Sequence, residues 1–163
     1  MKSLQNCMYW VKVEQGGPEK RMPAKALLLS IRPEFAEMIF GGTKKIELRR
    51  LRPKVVRGDW VYVYVASPVK ALRGAFLVHK VLEDVPRQLW KKVRKHAGVT
   101  RKQFDEYYLG ASRGFAIVLE TVRALITPIE LTILRSRWRC FRPPQSYHYV
   151  STERLSQLGA MSG

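Results

Sequence analysis

Apolar positions along this chain follow two periods, and the shorter one marks its strands. Every residue of 60–65 is apolar, with Trp60, Tyr62 and Tyr64 on one side of an extended segment and Val61, Val63 and Val65 on the other, since successive strand side chains alternate between faces. A strand apolar on both sides is covered on both sides. Short apolar runs bounded by Gly, Pro or charge predict further strands over 27–31, 45–50, 73–82 and 115–122.

Helical spacing replaces the alternation in four places. Over 33–40, Phe35, Met38 and Ile39 recur at i, i+3, i+4, Pro33 suits the first turn, and Gly41-Gly42 supplies the stop. Helices are also predicted over 86–97, with Val85, Leu89 and Val93 apolar, over 100–109, with Phe104, Tyr107 and Tyr108 apolar, and over 129–135. Mixed periods in 163 residues, 46% of them hydrophobic, predict one α+β domain with a sizeable core. The aromatic row of 60–64 has a second reading, a platform on which bases stack.

The polar positions carry most information just past the first helix stop, in Gly42-Thr43-Lys44-Lys45-Ile46-Glu47-Leu48-Arg49-Arg50. Alternation sends Ile46 and Leu48 into a core and puts Lys45, Glu47 and Arg49 on the opposite side, with Lys44 in the turn able to reach Glu47. One reading is a solvated strand face held by a Lys–Glu–Arg ion network. The other is a binding or catalytic cluster.

This stretch resembles the Gly-x-Lys-x-x-Glu-x-Arg signature of the activating signal cointegrator homology (ASCH) family, matched by Gly42, Lys44, Glu47 and Arg49. Leu28-Leu29-Ser30-Ile31-Arg32-Pro33-Glu34 is similar to that family's first strand and helix start, 58–64 and 74–78 to its next strands, and Pro143-Pro144-Gln145-Ser146-Tyr147 to a closing motif of longer members. The resemblance implies a β-barrel of the pseudouridine synthase and archaeosine transglycosylase (PUA)-like type with flanking helices, spanning 23–152. Residues 1–22, which include the linker-like 15–21, are then a disordered or peripheral extension, and 153–163 a loose tail.

The family resemblance also implies chemistry. Some small members use the corresponding lysine with a neighbouring threonine and a glutamate from a later helix to deacylate 4-acetylcytidine; others cleave or simply bind RNA. Two positions depart from the amidohydrolase pattern: Glu47 stands in place of the threonine, and His96-Ala97-Gly98-Val99-Thr100 offers no acid. If the protein is an enzyme, Lys44 and Glu47 are its expected catalytic residues. A lysine acts as base or nucleophile only when burial or a nearby cation lowers its pKa.

Charge turns these residues into an interface. Thirty Lys and Arg against 13 Asp and Glu give a net charge of +17, which calls for a polyanionic partner. RNA is the expected partner, held in a cleft whose floor is Lys44, Glu47 and Arg49 and whose walls are Ser30, Arg32, Gln145, Ser146 and Tyr147. Lys45, Arg50, Lys91, Lys92, Arg94 and Lys95 are expected to track phosphates around it. DNA is the alternative, though 86–109 lacks helix-turn-helix spacing.

Other classes fall away. No run of 18 apolar residues predicts a membrane span. Gly41-Gly42-Thr43-Lys44 lacks the upstream glycine of a phosphate-binding P-loop, and no dinucleotide fingerprint occurs. His79, His96 and His148 are isolated, so neither a metal nor another cofactor is expected. Cys7 and Cys140, the two cysteines, point to a reducing, cytoplasmic setting rather than a disulfide framework.

Overall fold

The computed structural model describes the backbone of residues 10–12 and the whole of 25–158. Seven strands and five helices follow in chain order: β1 (Trp10–Lys12), β2 (Lys25–Ile31), α1 (Pro33–Phe40), β3 (Ile46–Arg49), β4 (Trp60–Val65), β5 (Ala71–Asp84), α2 (Pro86–Val93), α3 (Arg101–Tyr107), β6 (Gly114–Glu130), α4 (Leu131–Arg137), β7 (Tyr147–Ser151) and α5 (Thr152–Ser156). They form one mixed sheet in an α+β domain. The ladder runs β7–β2–β4–β5–β6, with β2 and β4 parallel and the other neighbours antiparallel. The far edge of β6 is shared by β3, from Arg49 opposite Phe115 to Ile46 opposite Val118, and by β1, with Trp10 opposite Leu125.

The predicted barrel does not close. Among the described residues no ladder joins β3 or β1 to the β2–β7 end of the sheet. Polar side chains occupy that seam instead: Arg49 Nη1 donates to Ser146 Oγ at 3.3 Å across it. Curvature is nevertheless strong, because three register shifts along β5–β6 and one in β4–β5 bend the long strands. Gly74 permits a close approach within that bend, since a Cβ there would meet Arg123 O at 2.2 Å and Phe40 Cε1 at 2.6 Å.

Three clusters make the core, and β4 divides the first two. Tyr62 and Tyr64 pack with Leu28, Leu72, Trp138 and Phe141 beneath α4 and α5. Val61, Val63 and Val65 pack on the other face with Leu29, Phe76 and the Ile39 side of α1. Both tyrosines are 3% exposed or less, so the aromatic row is core and not a stacking platform. The third cluster seats α2 and α3 on β3 through Leu89, Val93, Phe104 and Tyr108 against Ile46 and Leu48.

The termini depart from their expected looseness where they are described. Trp10–Lys12 of the 1–22 extension pairs as an edge strand, while the linker-like 15–21 lies outside the described residues. Residues 153–158 of the tail carry part of α5 and bury Leu155 and Leu158 in the first cluster; 159–163 lie outside the described residues. No helix among the described residues is long and apolar enough to cross a membrane.

Candidate functional site

Where the barrel would close, the seam between β3 and the C-terminal end of β2 opens into a cavity of about 500 Å³. One wall is Ser30, Arg32 and Phe35, from the end of β2 and the start of α1; the other is α3. Its floor is Lys44, Glu47 and Arg49, all buried, with Lys44 only 2% exposed. This rules out the solvated-face reading of the strand.

The helix stop places the lysine. Gly42 adopts φ +80°, and the backbone N–H groups of Thr43 and Lys44 both donate to Met38 O, folding the turn back over α1. Lys44 Nζ then donates to Ala97 O, lies 3.4 Å from Glu47 Oε2 and sits 5.1 Å from the centre of the Phe35 ring. Arg49 Nη2 donates to Glu47 Oε1 at 2.9 Å. Both oxygens of Glu47 therefore face a cation, and the cluster carries one net positive charge.

Burial pushes the Lys44 ammonium below its ordinary pKa, Glu47 opposes the shift by charge and hydrogen bonding, and Arg49 adds a smaller push downward. Of the two causes expected from sequence, burial leads and the neighbouring cation contributes least.

The strap between α2 and α3 holds this geometry. His96 O accepts from the backbone N–H of Lys45 and of Ile46, at 2.9 and 3.1 Å, so 96–99 runs alongside the start of β3. Gly98 has φ +65°, and a Cβ there would meet Met38 Sδ at 3.0 Å and Lys44 Cβ at 3.3 Å. Thr100 then starts α3 with a capping box, accepting from Gln103 N while Gln103 Oε1 accepts from Thr100 N. α3 turns Gln103, Glu106 and Tyr107 toward the cavity.

Of the predicted cleft residues, Ser30, Arg32, Lys44, Glu47 and Arg49 line the cavity. Ser146 stands behind Arg49 and accepts from it, while Ser30 Oγ donates to Pro144 O at 2.6 Å and ties the 143–146 loop to β2. Gln145 and Tyr147 are not in the lining; the Tyr147 ring packs on the second core cluster and its hydroxyl donates to Arg52 O.

The predicted phosphate track divides. Arg50 donates to Tyr107 O and Leu109 O, capping the C-terminal end of α3. Lys92 pairs with Asp84 at 2.6 Å. Lys45, Lys91, Arg94 and Lys95 are exposed, with no ion pair among the described residues.

Phe35, Gln103, Glu106 and Tyr107 were not predicted as site residues. The i, i+3, i+4 spacing of Gln103, Glu106 and Tyr107 marks one face of α3 in the sequence, but nothing local shows that this face meets a cavity. No group of three or more metal-ligating side chains occurs among the described residues.

An open mixed sheet with a buried lysine, glutamate and arginine in its seam defines a class, and comparison identifies it. The ASCH domain family model matches residues 29–125, more than half of the chain, and the protein belongs to the ASCH domain family. It is 28% identical over 138 residues to an ASCH domain-containing ribonuclease of Zymomonas mobilis, covering 85% of this chain and 93% of that protein. The crystal structure of ASCH from Zymomonas mobilis superposes with a TM-score of 0.79 at 27% identity, covering 86% of this chain and 98% of the other. The large ribosomal subunit protein uL22 of Ureaplasma parvum is 26% identical over 129 residues, but the match spans only 39% of that longer protein.

Proposed function

We propose that the protein binds RNA through the seam cavity and cleaves it there as a ribonuclease. The observation that carries this reading is the buried Lys44–Glu47–Arg49 cluster at the floor of a cavity of about 500 Å³. Buried ion clusters are a poor source of stability, because desolvation offsets their attraction. A net positive charge facing a cavity instead favours a phosphate. The ribonuclease name of the Zymomonas mobilis relative and the +17 charge point the same way.

Cleavage of RNA through its own 2′-hydroxyl needs a base for that hydroxyl, positive charge for the phosphorane and an acid for the departing 5′-oxygen. Arg49 and Lys44 supply the charge. Lys44, which donates to Ala97 O and whose pKa burial lowers, is suited to give up a proton. Glu47 is held closely by both cations, so the cavity-lining carboxylate we assign to take the hydroxyl proton is Glu106, whose pairing with Lys102 is long at 3.9 Å and exposed.

The test is single-stranded RNA incubated with the protein, with magnesium and separately in chelator, and resolved by mass spectrometry. Wild type should produce 2′,3′-cyclic phosphate ends, Lys44→Ala and Glu106→Gln should each lower kcat by about 10²-fold or more, and binding should largely survive in Glu106→Gln. Intact RNA after incubation with wild type removes the cleavage reading and leaves binding. Glu106 also supports a second reading: it is a later-helix carboxylate lining the same cavity as Lys44, which 96–100 lacks. That reading is deacylation of 4-acetylcytidine, and the nucleoside belongs in the same assay.

A further inference from the structure

The chain between Leu131 and Thr152 carries Arg135, Arg137, Arg139 and Arg142 without one carboxylate or one lysine. α4 turns Leu134 into the first core cluster, and the following loop buries Trp138 and Phe141 there, which leaves all four arginines exposed. α5 brings a fifth to the same place. Trp138 Nε1 donates to Arg154 O at 2.8 Å, and Arg137 Nη1 donates to Gln157 O at 2.9 Å. Phe141 meets His148 with ring centres 6.0 Å apart, and burial, with a smaller push from the Arg154 charge, holds that histidine below its ordinary pKa.

Several surface cations elsewhere are paired, although among the described residues Lys91 of α2 and Arg94 and Lys95 just after it are not. Arg52 and Arg113 share Glu83, Arg73 meets Glu37, Lys92 meets Asp84 and Arg101 meets Asp105. Among the described residues none of the five arginines on the α4–α5 face has such a partner, and Glu130 and Glu153 flank the patch without pairing with it. Holding like charges together costs free energy that an anion would recover. Guanidinium groups are the side chains best shaped to grip phosphate oxygens in pairs. The patch also lies apart from the cavity: α4 and α5 cover the tyrosine face of β4, whereas α1 and the Phe35 wall belong to its valine face.

We propose that the α4–α5 face is a second RNA-binding surface, which grips the phosphate backbone of a folded RNA whose exposed strand enters the cavity on the other side of the sheet. The proposal takes RNA as the ligand from the reading above but does not depend on catalysis in the cavity. Phosphates at the edge of the sheet, near Arg142 and the 143–146 loop, would lead from one surface to the other. Ser146 of that loop already touches Arg49.

The test compares three probes with the full chain. A hairpin RNA of about 24 nucleotides can engage both faces, a tetranucleotide only the cavity, and phosphatidylserine vesicles stand for the other polyanion that arginines attract. Arg135→Gln/Arg139→Gln/Arg142→Gln should weaken hairpin binding about tenfold and reduce its logarithmic salt slope by about two to three. Tetranucleotide binding and the melting temperature should be unchanged, and the matching triple Lys variant should restore the salt slope. Lys44→Ala should do the reverse, losing the tetranucleotide while keeping the hairpin's salt slope, so a failed cavity reading is seen separately. An unaltered hairpin affinity and slope in the triple Gln variant overturns the proposal. So does arginine-dependent vesicle binding with hairpin binding unaffected.

Discussion

Lys44 and Glu47 are three residues apart, yet their burial makes them act differently on stability. Removing the Glu47 charge leaves Lys44 and Arg49 as two buried cations without the carboxylate between them. Glu47→Gln should therefore destabilise the fold by about 3–5 kcal/mol. Lys44→Met removes the desolvated charge itself and keeps an apolar stem beside Phe35, so its cost should be chiefly the unsatisfied Ala97 carbonyl, about 1–3 kcal/mol. Glu47 Oε2 also loses its partner in that variant but keeps the Arg49 charge beside it, and chemical denaturation of both variants at neutral pH ranks them. The pH dependence follows from the lowered Lys44 pKa. Between its folded value and its unfolded value of about 10.5, the unfolded chain holds a proton that the folded chain has released, so stability rises with pH through that window. Above about pH 10 the buried tyrosines act in the opposite sense, because burial pushes Tyr62 up to about 12 and unfolding then releases a proton. An upward slope of wild-type stability below pH 10, absent in Lys44→Met, is the expected result. Parallel curves would mean that Lys44 titrates alike in both states.

At the scale of elements, the strap 96–99 and α3 decide whether the cluster has a cavity to face. Gly98→Ala should cost about 1–2 kcal/mol for its left-handed conformation, and more where the new methyl group crowds Met38 and Lys44. Its effect on RNA cleavage should exceed that of a surface change of equal stability cost, because it displaces the residue bonded to Ala97 O. Normal turnover in a folded Gly98→Ala protein would show that the strap does not position Lys44. These elements also show what was legible. Alternation placed Ile46 and Leu48 in a core and Glu47 with Arg49 across from them, and held for β4, where aromatic rings fill one face and valines the other; in α1 the helix formed as expected, but Met38 is exposed and Ala36 joins Ile39 in the core. β7 and α5 were missed because their burial is tertiary: 147–151 mixes Tyr and His with Val, and five helical residues carry only Leu155 as a core anchor. The open seam was equally hidden. Local pattern shows that Arg49 leaves the core side of β3, but not that it ends on Ser146, 97 residues later, where a closed barrel would have a ladder. Glu106 was not singled out for the same reason: nothing local shows that its face of α3 meets the cavity.

For the whole molecule, the +17 charge acts on folding and binding with opposite signs. Exposed ion pairs such as Arg101–Asp105 contribute little each, while the unpaired cations on α2 and on the α4–α5 face repel one another in the compact state. Added salt shortens the Debye length from about 30 Å at 0.01 M to about 8 Å at 0.15 M and relieves that repulsion. The melting temperature of the free protein should therefore rise over this range. RNA should raise it too, by mass action, worth about 2.7 kcal/mol at a ligand concentration of one hundred times Kd. That increment should shrink as salt rises, because each phosphate contact releases counterions and the affinity falls steeply with ionic strength. Thermal melts with and without RNA, repeated across the salt range, separate the two: the free-protein curve should climb while the gap between the curves closes. A free-protein melting temperature that falls with salt would show that attractive pairs outweigh repulsion. A gap that stays constant would show that RNA is held by contacts other than phosphate, and the basic surfaces would then lose their part in binding.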